Sequence, residues 1–121
     1  MKVAEAAIKN FGRIDLLVNN AGIYVPKPFT EYTPEDFAAM ISTNVAGYFF
    51  ITQQAVAQMR KQKSGHIVSI STTLTDQPLA GAPISLPVLT KSTIPAFSRA
   101  LAITSTGLSV MAFSVMARSR P

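Results

Sequence analysis

Cysteine is absent from this chain of 121 residues, so it can build no disulfide framework, no thiolate nucleophile and no thiolate metal site. A reducing, cytoplasmic setting is the expectation. Charge is scarce as well: 14% of residues are charged against 48% hydrophobic, a balance that excludes disorder. The net charge of +5 is dispersed, apart from Arg60, Lys61 and Lys63 and the tail pair Arg118 and Arg120. No basic stripe interleaved with aromatics exists, so no nucleic-acid partner is expected. With one histidine and no cysteine, no metal site is expected either. The one long uncharged run, Ala100 to Ala117, is broken by Thr104, Ser105, Thr106, Gly107, Ser109 and Ser114, and no membrane span is expected. Met1-Lys2-Val3-Ala4-Glu5 has no apolar core of signal-peptide length before Lys9, and no export signal is read there. Internal repeats and low-complexity tracts are also missing.

What is present is organised around Asp15-Leu16-Leu17-Val18-Asn19-Asn20-Ala21-Gly22. Three apolar residues in succession leave this strand no polar face, which predicts a place inside a parallel sheet covered by helices. Asn19 and Asn20 put amides at its carboxyl end, and Ala21 and Gly22 leave room for a backbone or a ligand to come close. In open α/β sheets that edge is where ligands bind. Upstream, Val3, Ala6, Ala7 and Phe11 recur at helical spacing, and Gly12 supplies a stop. A helix feeding this tightly into a strand is the second half of a β-α-β unit, so the fold is expected to begin before Met1.

Downstream, a loop with Pro26 and Pro28 leads to Thr33-Pro34-Glu35-Asp36, an N-cap followed by proline and acids in the first turn. The helix is predicted to reach about Lys61. Phe37, Met40, Ile41, Tyr48, Ile51, Ala55 and Met59 form its apolar stripe, widened by Val45, Phe49 and Val56, and the basic cluster at its end complements the helix dipole. Asn44 lies on that stripe. A buried amide without partners costs about 1–3 kcal/mol, so Asn44 is either a structural bond to a neighbouring loop or a polar group held for an active site. Ser64-Gly65 turns the chain into a strand from His66 to Ser71, with hydroxyls at Ser71, Thr72, Thr73 and Thr75 around its exit. His66 sits at the opposite end from Asn19 and reads as a surface or capping residue. After an irregular loop from Leu74 to Pro83, Ser85 caps a helix from about Leu86 to Ile103, with Leu89, Ala96, Phe97, Ala100 and Leu101 on its apolar face. Pro95 is predicted to kink that helix. Leu108 to Phe113 alternates enough to be a last strand.

This order of strand to Asn-Asn-Ala-Gly, long helix with an inward Asn, strand to a hydroxyl cluster, and helix bearing Lys91 resembles the short-chain dehydrogenase/reductase family. The likeness runs from about Lys2 to Ile103 and more loosely from Gly107 to Ser114, and it is most specific from Gly12 to Gly22. Asn44-Val45, Gly65 to Ser71, Thr90-Lys91-Ser92 and Arg99-Ala100-Leu101-Ala102 fit in register. The resemblance implies a Rossmann-type three-layer α/β/α fold with a parallel sheet. It also implies NAD or NADP as cofactor and hydride exchange with a small-molecule carbonyl or alcohol. Family members use a Tyr for proton transfer with a Lys four residues later, whose ammonium lowers the phenol pKa. By resemblance Lys91, Asn44 and one of Ser71, Thr72 or Thr73 take catalytic roles. Asn19, Asn20, Ala21, Gly22 and Lys91 would lie beside the cofactor.

Two departures qualify that reading. Four residues before Lys91 stands Pro87, which has no hydroxyl, so Tyr-centred proton transfer cannot occur there; Tyr24, two residues past Gly22, is the fallback donor. No strand with a glycine-rich turn is read before Lys2, so the family's pyrophosphate-binding loop is expected to be missing from these residues. Residues 1–121 therefore read as a truncated Rossmann-like domain lacking its first β-α-β units, of a divergent subgroup without the catalytic Tyr. Such a chain is expected to be inactive alone. Its open strand edge is expected to produce a homo-oligomer or aggregate. The alternative is a non-catalytic interaction module that pairs with subunits of this family through its long helices.

Overall fold

The structure is a computed structural model and describes residues 2–77, 80–104 and 107–115. The tail arginines Arg118 and Arg120 lie outside the described residues. Helix α1 (Lys2–Phe11) ends where Gly12 takes a left-handed φ of 72° and donates its amide to Ile8 O at 2.9 Å. Only Ala4 of α1 is buried; Val3 and Phe11, expected on its apolar face, stand in solvent. Strand β1 (Leu16–Asn19) follows directly.

The predicted long helix is a helical run in three parts. Helix α2 (Pro34–Met40) opens with a capping box, in which the Thr33 hydroxyl accepts from Asp36 N and the Asp36 carboxylate accepts from Thr33 N. Ile41–Gly47 then widens into a π-helix, and α3 (Tyr48–Gln62) resumes the α geometry. Heptad-like periodicity carries no signature of such a widening, so the sequence pattern read as one regular helix. Met40, Tyr48, Ala55 and Met59 of the predicted stripe are buried, whereas Phe37 and Phe49 remain exposed. The run ends at Lys63, whose left-handed φ of 58° closes the helix before Ser64.

Strand β2 (Gly65–Thr72) and β3 (Leu108–Val115) complete a three-stranded parallel sheet in the order β1-β2-β3. Between them runs α4 (Ser85–Thr104), helical on both sides of Pro95. Gly65 is buried so closely against Met59 that a Cβ there would run into the methionine side chain. Ala55, Met59 and Ile67 form the core, with Ile14, Leu17, Val56, Leu101, Leu108 and Val110 packed around them. α3 and α4 thus cover one face of the sheet, and Phe97 of α4 meets Tyr48 and Phe49 edge-on.

The other face is bare among the described residues. Register places Leu16, Val18, Val68, Ile70, Met111 and Phe113 on it, and Leu16, Val18, Met111 and Phe113 are 56%, 53%, 47% and 51% exposed. The expectation that β1 is covered on both sides therefore fails within these residues. One side packs on α3, and the outer edge of β1 pairs with no strand among the described residues. The α/β class and the parallel Rossmann-type sheet stand. No helix among the described residues is long and apolar enough to cross a membrane.

Candidate active site

The carboxyl ends of β1 and β2 open into a cleft of about 410 Å³. Asn20, Gly22, Ile23 and Tyr24 line it from the β1 side, Thr72 and Leu74 from β2, and Pro87, Val88 and Lys91 from α4. Three parts of the chain far apart in sequence converge there. The loop beyond Gly22 is held by Tyr32, whose hydroxyl donates to Val25 O at 2.8 Å and accepts from Lys27 N at 3.2 Å. Lys27 in turn pairs with Asp36, whose carboxylate is held below its usual range by that ammonium and by the capping bonds from Thr33.

Lys91 reaches this cleft across Gly22. A Cβ on Gly22 would lie 2.8 Å from Lys91 Nζ and 3.2 Å from Asn44 Oδ1, so glycine is what lets the ammonium and the amide share that corner. Lys91 is half-buried, and desolvation pushes its ammonium below the ordinary lysine range. Among the described residues its Nζ makes no hydrogen bond or ion pair, and no carboxylate lines the cleft.

Asn44 is 1% exposed and fully partnered. Its Oδ1 accepts from Ile23 N at 2.8 Å, and its Nδ2 donates to Ile23 O at 2.9 Å and to Thr90 Oγ1 at 3.1 Å. Thr90 itself donates to Pro87 O at 3.1 Å. The amide therefore ties the cleft's β1 rim to the α4 turn that carries Pro87 and Lys91. The π-helix is what aims it there, since widening a helix re-orients the side chains within it. Sequence reading missed Thr90 as a functional position, although it stands beside Lys91 in the Thr-Lys pair already singled out.

The remaining predicted residues separate. Asn19 is buried and donates to Thr52 Oγ1 at 2.9 Å, which ties β1 to α3, and it lines a neighbouring cleft with Asn20 and Ala21. Ser71 points to the helix side of β2 and donates to Lys91 O at 3.3 Å. Thr72, one residue on, faces the cleft, where its hydroxyl also accepts from Leu74 N at 3.3 Å. Thr73 opens a short turn, Thr73–Thr75, beyond the strand. Pro87 is buried in the cleft wall at the position where a phenol was expected, and Tyr24 lines the same cleft. His66 is exposed at the far end of β2, away from the cleft, as expected of a surface residue.

A dinucleotide would meet two different ends in this site. Asn20, Thr72 and the unpartnered Lys91 amine offer polar atoms suited to ribose hydroxyls and a carboxamide. For phosphates, the chain's six glycines are too far apart to make a G-x-G-x-x-G turn, and among the described residues no glycine-rich turn leads a strand into a helix. The residues fit the nicotinamide end and offer no cradle for the pyrophosphate.

Comparison with known proteins agrees with this geometry. A family profile described as short chain dehydrogenase matches residues 1–115. The chain is 43% identical over 70 residues to the 3-oxoacyl-(acyl-carrier-protein) reductase FabG of Thermotoga maritima, covering 58% of this chain and 28% of that protein. It is 44% identical over 64 residues to the sepiapterin reductase of Chlorobaculum tepidum, covering 53% and 26%. Among solved structures it is similar to ElxO with NADP bound, with 34% identity and a TM-score of 0.82 over 95% of this chain and 47% of that one. A tyrosine-to-phenylalanine variant of ElxO with NADPH bound gives 30% identity and a TM-score of 0.85 over the same shares. The chain thus spans under half the length of these relatives. With sheet, cleft and sequence match in agreement, it belongs to the short chain dehydrogenase family.

Proposed function

We propose that this chain carries the substrate-facing half of an NAD(P)-dependent oxidoreductase site for a small carbonyl or alcohol, in a form that does not turn over by itself. The observation that carries the reading is the convergence of Asn20, Gly22, Thr72 and Lys91 on one cleft. When bound, a nicotinamide would supply the hydride. Lys91 Nζ and the Asn20 amide would hold its ribose and carboxamide, and the Thr72 hydroxyl would orient a carbonyl oxygen. Pro87 brings no proton to that oxygen, and Tyr24 is the one phenol lining the cleft. Structural relatives hold NADP and NADPH, and either nucleotide form remains within this reading. Relatives named as reductases of a 3-oxoacyl-(acyl-carrier-protein) and of sepiapterin match this chain about equally, which supports a carbonyl class rather than one substrate. A chain that dispenses with cysteine suits a cytoplasmic setting.

The direct test is a titration with reduced nicotinamide mononucleotide, which lacks the second phosphate and the adenosine, followed by amide NMR. Shifts confined to Asn20, Gly22, Thr72 and Lys91 are expected. An unchanged cleft with shifts elsewhere would overturn the reading. A second reading, a module that pairs with other subunits of the family, is favoured by one observation: an apolar groove between α3 and α4 lined by Phe49, Val56, Phe97 and Leu101. Co-sedimentation with a full-length family subunit in the absence of nucleotide would select it.

A further inference from the structure

We propose that the cleft between β1, β2 and α4 takes up small apolar aldehydes and that Lys91 captures them as an imine. The proposal does not depend on nucleotide binding. Three features of the site support it. First, Lys91 lines the cleft, and its Nζ lies beside Gly22, which lines the same cleft, and makes no hydrogen bond or ion pair among the described residues. Second, the wall around it is mainly apolar, built by Ile23, Leu74, Pro87 and Val88, and a volume of about 410 Å³ admits a small organic molecule. Third, Pro87, four residues before Lys91, is buried in the same wall and brings no hydroxyl or other side-chain polar group into the cleft.

Desolvation lowers the ammonium pKa, which raises the fraction present as free amine at neutral pH, and a desolvated lysine in an apolar pocket is the recognised form of an amine nucleophile. The chemistry balances without oxidant or reductant. The Nζ lone pair attacks the aldehyde carbon and its C=O π electrons move to oxygen, giving a carbinolamine. That oxygen takes up protons and leaves as water, nitrogen loses its two protons, and a C=N double bond remains. The Thr72 and Tyr24 hydroxyls line the same cleft and can exchange protons with the departing oxygen.

The test is reductive trapping of the whole chain with hexanal and cyanoborohydride at neutral pH, with adducts mapped by peptide mass spectrometry. The other five lysines, Lys2, Lys9, Lys27, Lys61 and Lys63, serve as internal references in the same molecule. Lys91 is expected to carry several-fold more adduct than any of them. Excess hexan-1-ol, which forms no imine, should compete for the cleft and suppress the Lys91 adduct alone. Lys91→Arg should remove the favoured adduct and leave the other five unchanged. Labelling distributed by exposure, or a Lys91 adduct indifferent to hexan-1-ol, would overturn the proposal.

Discussion

Ser71 donates its hydroxyl to the main-chain carbonyl of Lys91 at 3.3 Å, and that carbonyl is the one Pro95 cannot serve. A proline inside a helix removes the amide that would bond to the carbonyl four residues earlier. A hydroxyl from the neighbouring strand takes the amide's place, so α4 passes Pro95 as a helix and the bond fastens the backbone of Lys91 to β2. The same bond explains why Ser71 faces away from the cleft while Thr72 faces into it.

Ser71→Ala should lower stability by about 1–2 kcal/mol, because it leaves a largely buried carbonyl without a donor. In a Pro95→Ala background, where the main-chain amide returns, the same change should cost clearly less. Urea denaturation of the two single variants and the double variant measures that coupling; additive losses would show that Ser71 and Pro95 act independently.

Asn44→Ala removes three hydrogen bonds from a residue that is 1% exposed, and a loss of about 2–3 kcal/mol is expected. Because those bonds fix Ile23 and Thr90, hydrogen exchange should also accelerate at the Ile23 amide. An unchanged Ile23 amide would mean that the rim is held by something other than Asn44.

Lys91 makes stability depend on pH with a definite sign. Its folded pKa lies below the unfolded value, so in the window between the two the unfolded chain binds more protons. Stability should therefore rise with pH from the lowered folded pKa to the ordinary lysine value. Below that window both states are protonated and the native state bears the full cost of burying charge. Lys91→Met should flatten this rise, as read from denaturation midpoints measured across alkaline pH; a profile identical to that of the parent would refute the assignment.

Gly22→Ala places a methyl 2.8 Å from Lys91 Nζ, at the end of a flexible side chain that can swing away. The stability change should stay within about 1 kcal/mol, while the amine moves toward water and its pKa climbs back toward the ordinary range. Titration of isotopically methylated lysines by NMR distinguishes this from a simple packing defect, which would leave the Lys91 resonance where it was.

Among the described residues one sheet face and the outer edge of β1 are uncovered, and the chain is expected to self-associate. Leu16, Val18, Met111 and Phe113 form a contiguous apolar surface beside unpaired strand amides, the combination that invites edge pairing. Val18→Lys with Phe113→Lys should shift sedimentation toward monomer. A parent chain that already sediments as a monomer and unfolds in one sharp transition would contradict this.

Much of this architecture was legible because local chemistry and tertiary structure agree. Thr33-Pro34 starts a helix, Gly12 stops one, and the β-branched run after Ser64-Gly65 forms a strand, each for reasons contained within a few residues. The site was legible as a set of candidates and not as an arrangement. Strand alternation separates Ser71 from Thr72, yet which of the two faces the cleft depends on where α4 packs. Asn19 and Asn20 are likewise adjacent amides with different partners, one on Thr52 and one lining the cleft. The π-helix at Ile41–Gly47 left no mark in the periodicity, and the exposure of Leu16 and Val18 follows from what the described residues place beside them, not from their own character.

We propose that this cleft keeps the nicotinamide end of the family's site, with Lys91 in place, Pro87 four residues before it, and no phosphate cradle among the described residues. Calorimetric titration of the purified chain with NADPH tests it most directly. Weak, non-saturating uptake is predicted, with no nucleotide oxidation on adding a carbonyl substrate. Tight, stoichiometric capture of NADPH would contradict it.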